Sequence, residues 1–209
     1  MAQKFVIPHS RPTIDESDLL SVSEVIRSGR IVQGEEVEKF EKKMAKFIGV
    51  HGAVATNTGT SSLHLSLLAI GIKKGDNVAM PSFVCTALLN AVKYVGAQPT
   101  LVDINPETYN IDISDLKKRV KRSTKAIILP HLFGLPADID EILSLGIPVI
   151  EDCAQAIGAV YKGGKTGSFG RLSCFSFYAT KVLSTGEGGM VVSDSKSLLK
   201  KIRDFRDYD

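Results

Sequence analysis

With 209 residues, of which 44% are hydrophobic and 23% charged, the chain has ordinary globular composition and enough length for one sizeable core or two small ones. Its formal net charge of +3 is spread along the chain, apart from short clusters such as Lys117-Lys118-Arg119 and Lys200-Lys201 on helix-like segments, which argues against a nucleic-acid partner. Three widely spaced cysteines (Cys85, Cys153 and Cys174) without a CxxC pair speak against a disulfide framework or a zinc site; residues 1–11 hold no apolar run of secretory-leader length, and no stretch approaches a membrane span, so a cytoplasmic, membrane-free protein is expected.

Taken in chain order, residues 14–28 predict a helix, with Leu19, Val22 and Ile26 at helical spacing behind an acidic start. Residues 34–48 repeat the pattern through Val37, Phe40, Met44 and Phe47, and Gly29 and Gly49 fall where helix C-caps are expected. The texture then changes. Short apolar runs at 52–56, 77–80, 100–104, 126–129 and 149–151 read as buried strands, with helix candidates at 61–70, 87–95, 113–120 and 139–145. Strand and helix in alternation imply right-handed crossovers and a parallel sheet. Two further strands, 173–177 and 190–192, are separated by a loop, which makes the sheet mixed; a last helix covers 198–206. The expected fold is α/β, a three-layer sandwich around a mainly parallel, mixed seven-stranded sheet. No repeat, low-complexity tract or linker divides the chain into parts. Arg206-Asp207-Tyr208-Asp209 follows the last helix without a turn or cap signal, so the chain ends naturally there or is part of a longer protein.

In open α/β sheets ligands gather beyond the carboxyl ends of the strands. Three segments in such positions carry candidate chemistry. Asn57-Thr58-Gly59-Thr60-Ser61-Ser62 lies between a strand and a helix, where free amides and the helix dipole can hold a phosphate; alone, it reads more simply as an N-cap by Thr60 or Ser61. Glu151-Asp152, with Gln155 three residues on, places a carboxylate at a strand end; it can face a protonated ring nitrogen, or equally cap a helix or pair with an arginine. Ser176-Phe177-Tyr178-Ala179-Thr180-Lys181 leads into Gly186-Glu187-Gly188-Gly189, and Lys181 is either a Schiff-base nucleophile or a surface lysine. The combination at one sheet edge favours the chemical reading. Gly163-Gly164-Lys165-Thr166 lacks the earlier glycine of a P-loop, since residue 159 is Ala159, and is better explained as a hairpin with a glycine turn. His9, His51, His64 and His131 have no metal-ligand spacing, and no dinucleotide glycine motif or GxSxG elbow is present.

These segments resemble the DegT/DnrJ/EryC1/StrS family of pyridoxal-phosphate (PLP)-dependent sugar aminotransferases. The matching runs are Ile7-Pro8-His9-Ser10-Arg11-Pro12, Gln33-Gly34, Asn57 to Leu65, Val102-Asp103-Ile104, Pro130-His131-Leu132-Phe133-Gly134, Glu151-Asp152-Cys153-Ala154-Gln155-Ala156, Gly167-Ser168-Phe169-Gly170, and Phe175 to Lys181 closed by Gly186-Glu187-Gly188-Gly189-Met190. The resemblance implies the large domain of the fold-type I PLP-dependent transferases over residues 1–209, an N-terminal segment (1–50) followed by an α/β core (51–209). The small C-terminal domain of the family is missing.

It also implies roles. Lys181 holds the cofactor, is released by an amino donor (glutamate by resemblance), and then moves a proton as general base and acid. Asp152 keeps the pyridine nitrogen protonated and Gln155 lies beside the phenolic oxygen. The amides of Thr60 and Ser61 and the Ser176 hydroxyl take the phosphate. Gln33 and His131 are assigned to the substrate, a keto-sugar that is nucleotide-linked. Where many relatives stack an aromatic residue on the ring, this chain has Cys85, so either Cys85 or Phe83 supports the cofactor. A homodimer is implied, with residues 30–34 facing a neighbour or the substrate; a separate chain supplying the missing half is a further possible partner, and its absence would leave apolar surface exposed. Two other functions are weighed: an inactive PLP-binding fragment, and a sugar dehydratase, which in this family has a histidine in place of Lys181.

Overall fold

A computed structural model describes residues 7–8 and 10–207. His9, in the first matching run, lies outside the described residues, as do residues 1–6 and 208–209.

Helices α1 (Glu16–Ser28) and α2 (Glu35–Ile48) come first. The core follows as β1 (Gly52–Thr56), α3 (Gly59–Ala69), β2 (Asn77–Pro81), α4 (Thr86–Tyr94), β3 (Gln98–Val102), α5 (Ile113–Arg119), β4 (Thr124–Pro130), α6 (Ile139–Leu143) and β5 (Val149–Asp152). A small hairpin, β6 (Val160–Tyr161) and β7 (Gly164–Lys165), precedes β8 (Leu172–Ser176), β9 (Gly189–Ser193) and α7 (Lys196–Arg206). Seven strands form one sheet in the order β1-β9-β8-β5-β4-β2-β3, and β9 alone runs against the others. The carboxyl ends of β1, β2, β4, β5 and β8 therefore share one edge.

Strand β4 shows why the sheet sits between two helix layers. Ala126 and Ile128 enter one buried cluster, with Leu63 and Leu67 of α3, Leu88 and Val92 of α4, and Leu198 and Ile202 of α7. Ile127 and Leu129 point the other way, to Leu116 of α5 and Ile139 and Ile142 of α6. On that second face α2 covers the other half of the sheet, with Met44, Ala45 and Ile48 against Phe175, Met190 and Val192. Burial on both faces explains the continuous apolar runs in the sequence. Each such large side chain contributes about 1.5–3 kcal/mol when withdrawn from water.

Local punctuation agrees with the sequence in several places. Gly29 (φ 72°) and Gly49 (φ 90°) close α1 and α2 in the left-handed region. Lys162 (φ 46°) and Gly163 (φ 89°) turn the β6–β7 hairpin, the two-residue left-handed turn that suits strand twist. Strand β3 differs: it begins at Gln98 and includes Pro99, two residues before the predicted start. It is an edge strand pairing only with β2, where a proline's missing donor leaves no gap in the ladder.

The opposite edge is blocked by side chains. Arg203 Nη2 donates to Ala53 O (3.1 Å) and Arg206 Nη1 to Ala55 O (3.2 Å), while the Ala55 N–H donates to Glu41 Oε1 (2.8 Å). Arg206 Nη1 also reaches Glu41 Oε1 at 2.8 Å, so α2 and α7 together occupy the groups that another strand would need.

Helix α1 is capped by Asp15 and Asp18 in a reciprocal capping box, yet buries none of its residues. Leu19, Leu20, Val22 and Ile26 are exposed.

Candidate active site

The site starts where β1 hands over to α3. Thr58, extended at φ −154°, is the N-cap; its Oγ1 accepts the Ser61 N–H at 3.0 Å, and its carbonyl accepts the Ser62 N–H. The capping residue is therefore Thr58, two residues before Thr60 and three before Ser61. The N–H groups of Gly59 and Thr60 have no acceptor among the described residues. They stand at the positive end of α3, an arrangement that binds anions. The Ser61 amide, in contrast, is already engaged by Thr58.

Two glycines let three segments converge on this turn. A Cβ at Gly59 would lie 2.8 Å from Ser176 Cβ, so the end of β8 meets the start of α3 only because residue 59 has no side chain. A Cβ at Gly189 would lie 2.3 Å from Thr58 O. Ser176 thereby brings its hydroxyl to the free amides.

At the end of β5, Asp152 Oδ1 accepts the Ala154 N–H (3.0 Å), and its other oxygen takes no hydrogen bond from the described residues. Burial pushes the Asp152 pKa above its ordinary value, opposed by the Ala154 N–H and the Lys181 charge. Gln155 Oε1 accepts the Phe133 N–H at 2.9 Å, which leaves its amide nitrogen as a donor. Lys181 follows β8 in a turn closed by its own N–H to Tyr178 O (2.8 Å). The loop beyond is tied back at both ends of its return, Thr185 N–H to Phe177 O and Phe177 N–H to Gly188 O, both 2.9 Å.

A cavity of about 270 Å³ is lined by Thr60, Cys85, Asp152, Gln155, Ser176 and Lys181. The three segments singled out in the sequence thus meet in one space. Glu187 of the glycine-rich loop also lines it, a residue the sequence quoted without assigning. Phe83 is outside the lining: its ring stacks at a tilt on Tyr109, centroids 5.7 Å apart, while Cys85 faces the cavity. Of the two, only Cys85 lines the cavity. Ser61 and Gln33 are also off the lining; Gln33 Nε2 donates to Asp207 Oδ1 at 2.6 Å. His131 lines the cavity, but both ring nitrogens are engaged within the protein, Nδ1 by the Ala137 N–H (3.1 Å) and Nε2 by Glu151 Oε2 (3.0 Å). The ring has no free nitrogen with which to contact a substrate.

The residues fit PLP. Two unclaimed helix-end amides and a hydroxyl suit a phosphate. A partly unpartnered carboxylate in poorly solvated surroundings suits a ring N–H. A lysine in the same cavity suits an aldehyde.

Comparison with known proteins agrees. The model of the DegT/DnrJ/EryC1/StrS aminotransferase family matches residues 12–208. GDP-perosamine synthase of Escherichia coli O157:H7 is 41% identical over 205 residues, 96% of this chain and 56% of the relative. A Streptococcus pneumoniae protein described as a sugar aminotransferase, solved in its PLP-form, superposes with a TM-score of 0.91 at 28% identity, covering 95% of this chain and 57% of that one. A GDP-4-keto-6-deoxymannose-3-dehydratase superposes with a TM-score of 0.87 at 30% identity, covering 91% of this chain and 52% of its own. The chain spans little more than half the length of these relatives. On the extent of the family match and on the identity, the chain belongs to the DegT/DnrJ/EryC1/StrS aminotransferase family.

Proposed function

We propose that this chain binds PLP through Lys181 and serves the transfer of an amino group from glutamate to a nucleotide-linked keto-sugar. The observation that carries the reading is the single cavity in which Lys181, Asp152, Ser176 and the free amides at the start of α3 meet. When bound, the cofactor supplies an electron sink for the carbon that loses its proton. The chain's own residues do the rest. Gly59 and Thr60 amides with Ser176 Oγ hold the phosphate. Asp152, unpartnered at one oxygen, keeps a proton on the facing ring nitrogen. The Gln155 amide donates to the phenolic oxygen. The Lys181 amine would hold the cofactor's aldehyde carbon and, when free, would take the proton from the donor's alpha carbon as base and return it as acid. Cys85 gives the ring face a small contact in place of an aromatic one.

Among the described residues no helix is long and apolar enough to cross a membrane. Tyr178 lines the cavity and is exposed, and Phe133 and Val182, each next in the chain to a lining residue, are exposed as well, which supports a second copy of the chain packing nearby. A second reading, a PLP-binding unit without turnover on its own, rests on the length: relatives carry nearly as much chain again. The dehydratase reading is disfavoured by Lys181.

The test is titration of the purified protein with PLP, followed by visible absorbance and by borohydride reduction. Wild type is expected to gain a visible band and, after reduction, a covalent label on the peptide containing Lys181; Lys181→Ala is expected to gain neither. An identical band in Lys181→Ala refutes the assignment. Incubation with glutamate and a keto-sugar nucleotide then separates transfer from binding alone.

A further inference from the structure

Glu151 is fully buried beside the site and plays no part in the chemistry assigned above. It nevertheless has an unusually complete set of partners. Its Oε1 accepts the Phe169 N–H (2.9 Å), the Gly170 N–H (2.6 Å) and the Ser173 hydroxyl (3.1 Å). Its Oε2 accepts the Gly167 N–H (2.9 Å) and faces His131 Nε2 at 3.0 Å. Because His131 Nδ1 accepts the Ala137 N–H, the ring proton resides on Nε2 and points at the carboxylate. Burial alone would raise the Glu151 pKa, but His131 and the Gly167 and Gly170 amides hold it below its ordinary value. The carboxylate is thus a buried anion satisfied by donors from four places in the chain.

His131 extends this anchor to the cavity. Its own N–H donates to Asp152 O (3.2 Å), and the turn that begins at the next residue presents the Phe133 N–H to Gln155 Oε1. Phe133 holds a left-handed backbone (φ 54°), a conformation that persists only where neighbours enforce it. Asn110 supplies part of that enforcement, with Oδ1 accepting the Leu132 N–H and Nδ2 donating to Leu135 O. His131 Nδ1, through Ala137, supplies the other end. His131, Glu151 and Cys153 lie close enough to suggest a metal cage, but the His131 nitrogens and both Glu151 oxygens are already committed to protein donors or acceptors.

We infer that Glu151, acting through His131, is a positioning residue for the cofactor: it fixes the Asp152 main chain and the 132–137 turn, and so aims the Asp152 carboxylate and the Gln155 amide into the cavity. The inference rests on the PLP reading proposed above. Both Glu151 oxygens face only donors, so Glu151→Gln must turn an NH₂ group toward two or three N–H or O–H groups whichever way its amide lies. The His131 ring and the 167–170 loop then have to move, and the two cavity groups move with them.

The experiment measures PLP affinity and the pH midpoint of the visible band for wild type, Glu151→Gln and Ser173→Ala, with folding checked by circular dichroism. Folded Glu151→Gln is expected to bind PLP about tenfold more weakly or worse, the effect of one lost charge-assisted hydrogen bond, and to show a displaced midpoint. Ser173→Ala removes one donor of five, lies off the cavity lining, and is expected to shift the midpoint in the same direction by less. A merely structural role lowers the melting temperature and leaves both readouts at their wild-type values in the folded protein; that result overturns the inference. Should Glu151→Gln fail to fold, an unmoved midpoint in Ser173→Ala overturns it instead. A wild type that binds no PLP refutes the functional reading and the inference together, and is distinguishable because no variant comparison is needed.

Discussion

Gly189→Ala probes the junction that builds the phosphate cup. The added Cβ would lie 2.3 Å from Thr58 O and 2.7 Å from Gly59 N, both backbone atoms, whereas ordinary van der Waals contact begins near 3.4 Å. The gap must open by about 1 Å, and neither side yields easily. Gly189 is paired with Thr56 of β1 and Ser176 of β8, so β9 cannot retreat without breaking ladder bonds on both flanks. Thr58 is pinned as the cap of α3. Overpacking in a rigid site costs about 1–3 kcal/mol, occasionally more, and two immobile backbones put this case at about 3 kcal/mol. For a domain of this size that is a fall in melting temperature of roughly 6–12 °C. Gly59→Ala makes the contrast. Its contact is 2.8 Å to Ser176 Cβ, an atom fixed to the β8 backbone, so stability is expected to fall by about 1–2 kcal/mol, less than in Gly189→Ala, and PLP affinity to fall as the α3–Ser176 gap is wedged open. Urea unfolding monitored by circular dichroism gives the first quantity and PLP titration the second. A Gly189→Ala protein within about 0.5 kcal/mol of wild type, the range of ordinary surface changes, refutes the argument that this backbone approach is rigid.

Three further outcomes follow from the same structure. The raised pKa of partly buried Asp152 means that the folded state holds that proton more tightly than the unfolded chain; this stability is present below the ordinary aspartate value and is lost as pH rises through the folded value. Asp152→Asn is expected to abolish that acid-side gain in urea-unfolding profiles, to be at least as stable as wild type at neutral pH, and to lose PLP; a profile unchanged from wild type counts against the burial of this charge. Glu41→Ala removes the acceptor of the Ala55 N–H and the partner of Arg206, whose side chain is 18% exposed, so the loss is expected to be about 2 kcal/mol, less than the 3–5 kcal/mol of a fully buried pair. It also frees the β1 edge, and sedimentation should show increased self-association. Val22→Glu on α1, where nothing is buried, is expected to change stability by less than about 0.5 kcal/mol while improving solubility. A large loss would show that this face is covered.

Which parts of this architecture can be read from sequence depends on whether the determining interactions are local. The strands are legible because a two-faced sheet needs unbroken apolar runs such as Ala126-Ile127-Ile128-Leu129, and the helices because α2 and α7 must each present one stripe to it. Boundaries fail where topology decides. Pro99 looks like a strand breaker until β3 is known to be an edge. The three segments that meet in the cavity are legible because the strand-end rule picks out the loops at that edge of the sheet. That rule gives a segment, but not which of its residues turns inward. Phe83 and Cys85 sit two positions apart on the same loop, and only the packing of Phe83 against Tyr109 leaves the cavity to Cys85. Thr58, not Thr60 or Ser61, became the cap because the helix starts two residues earlier than its apolar pattern does.

His131 and Glu151 mark the deeper limit. The donors to one carboxylate come from residues 131, 167, 169, 170 and 173 and are mostly main-chain amides, which carry no side-chain signature. Gly167-Ser168-Phe169-Gly170 stands out in the sequence only as a run that resembles the family, and its purpose follows only from the anion it encloses. A buried charge must be answered somewhere; the sequence places Glu151 next to Asp152 on a strand whose successive side chains point to opposite faces. One carboxylate therefore opens to the cavity and the other is walled in by protein. Two adjacent acidic residues, identical in charge and a methylene apart in length, acquire opposite assignments from the pleat of β5, and it is the enclosed one that holds the frame in which the open one can act.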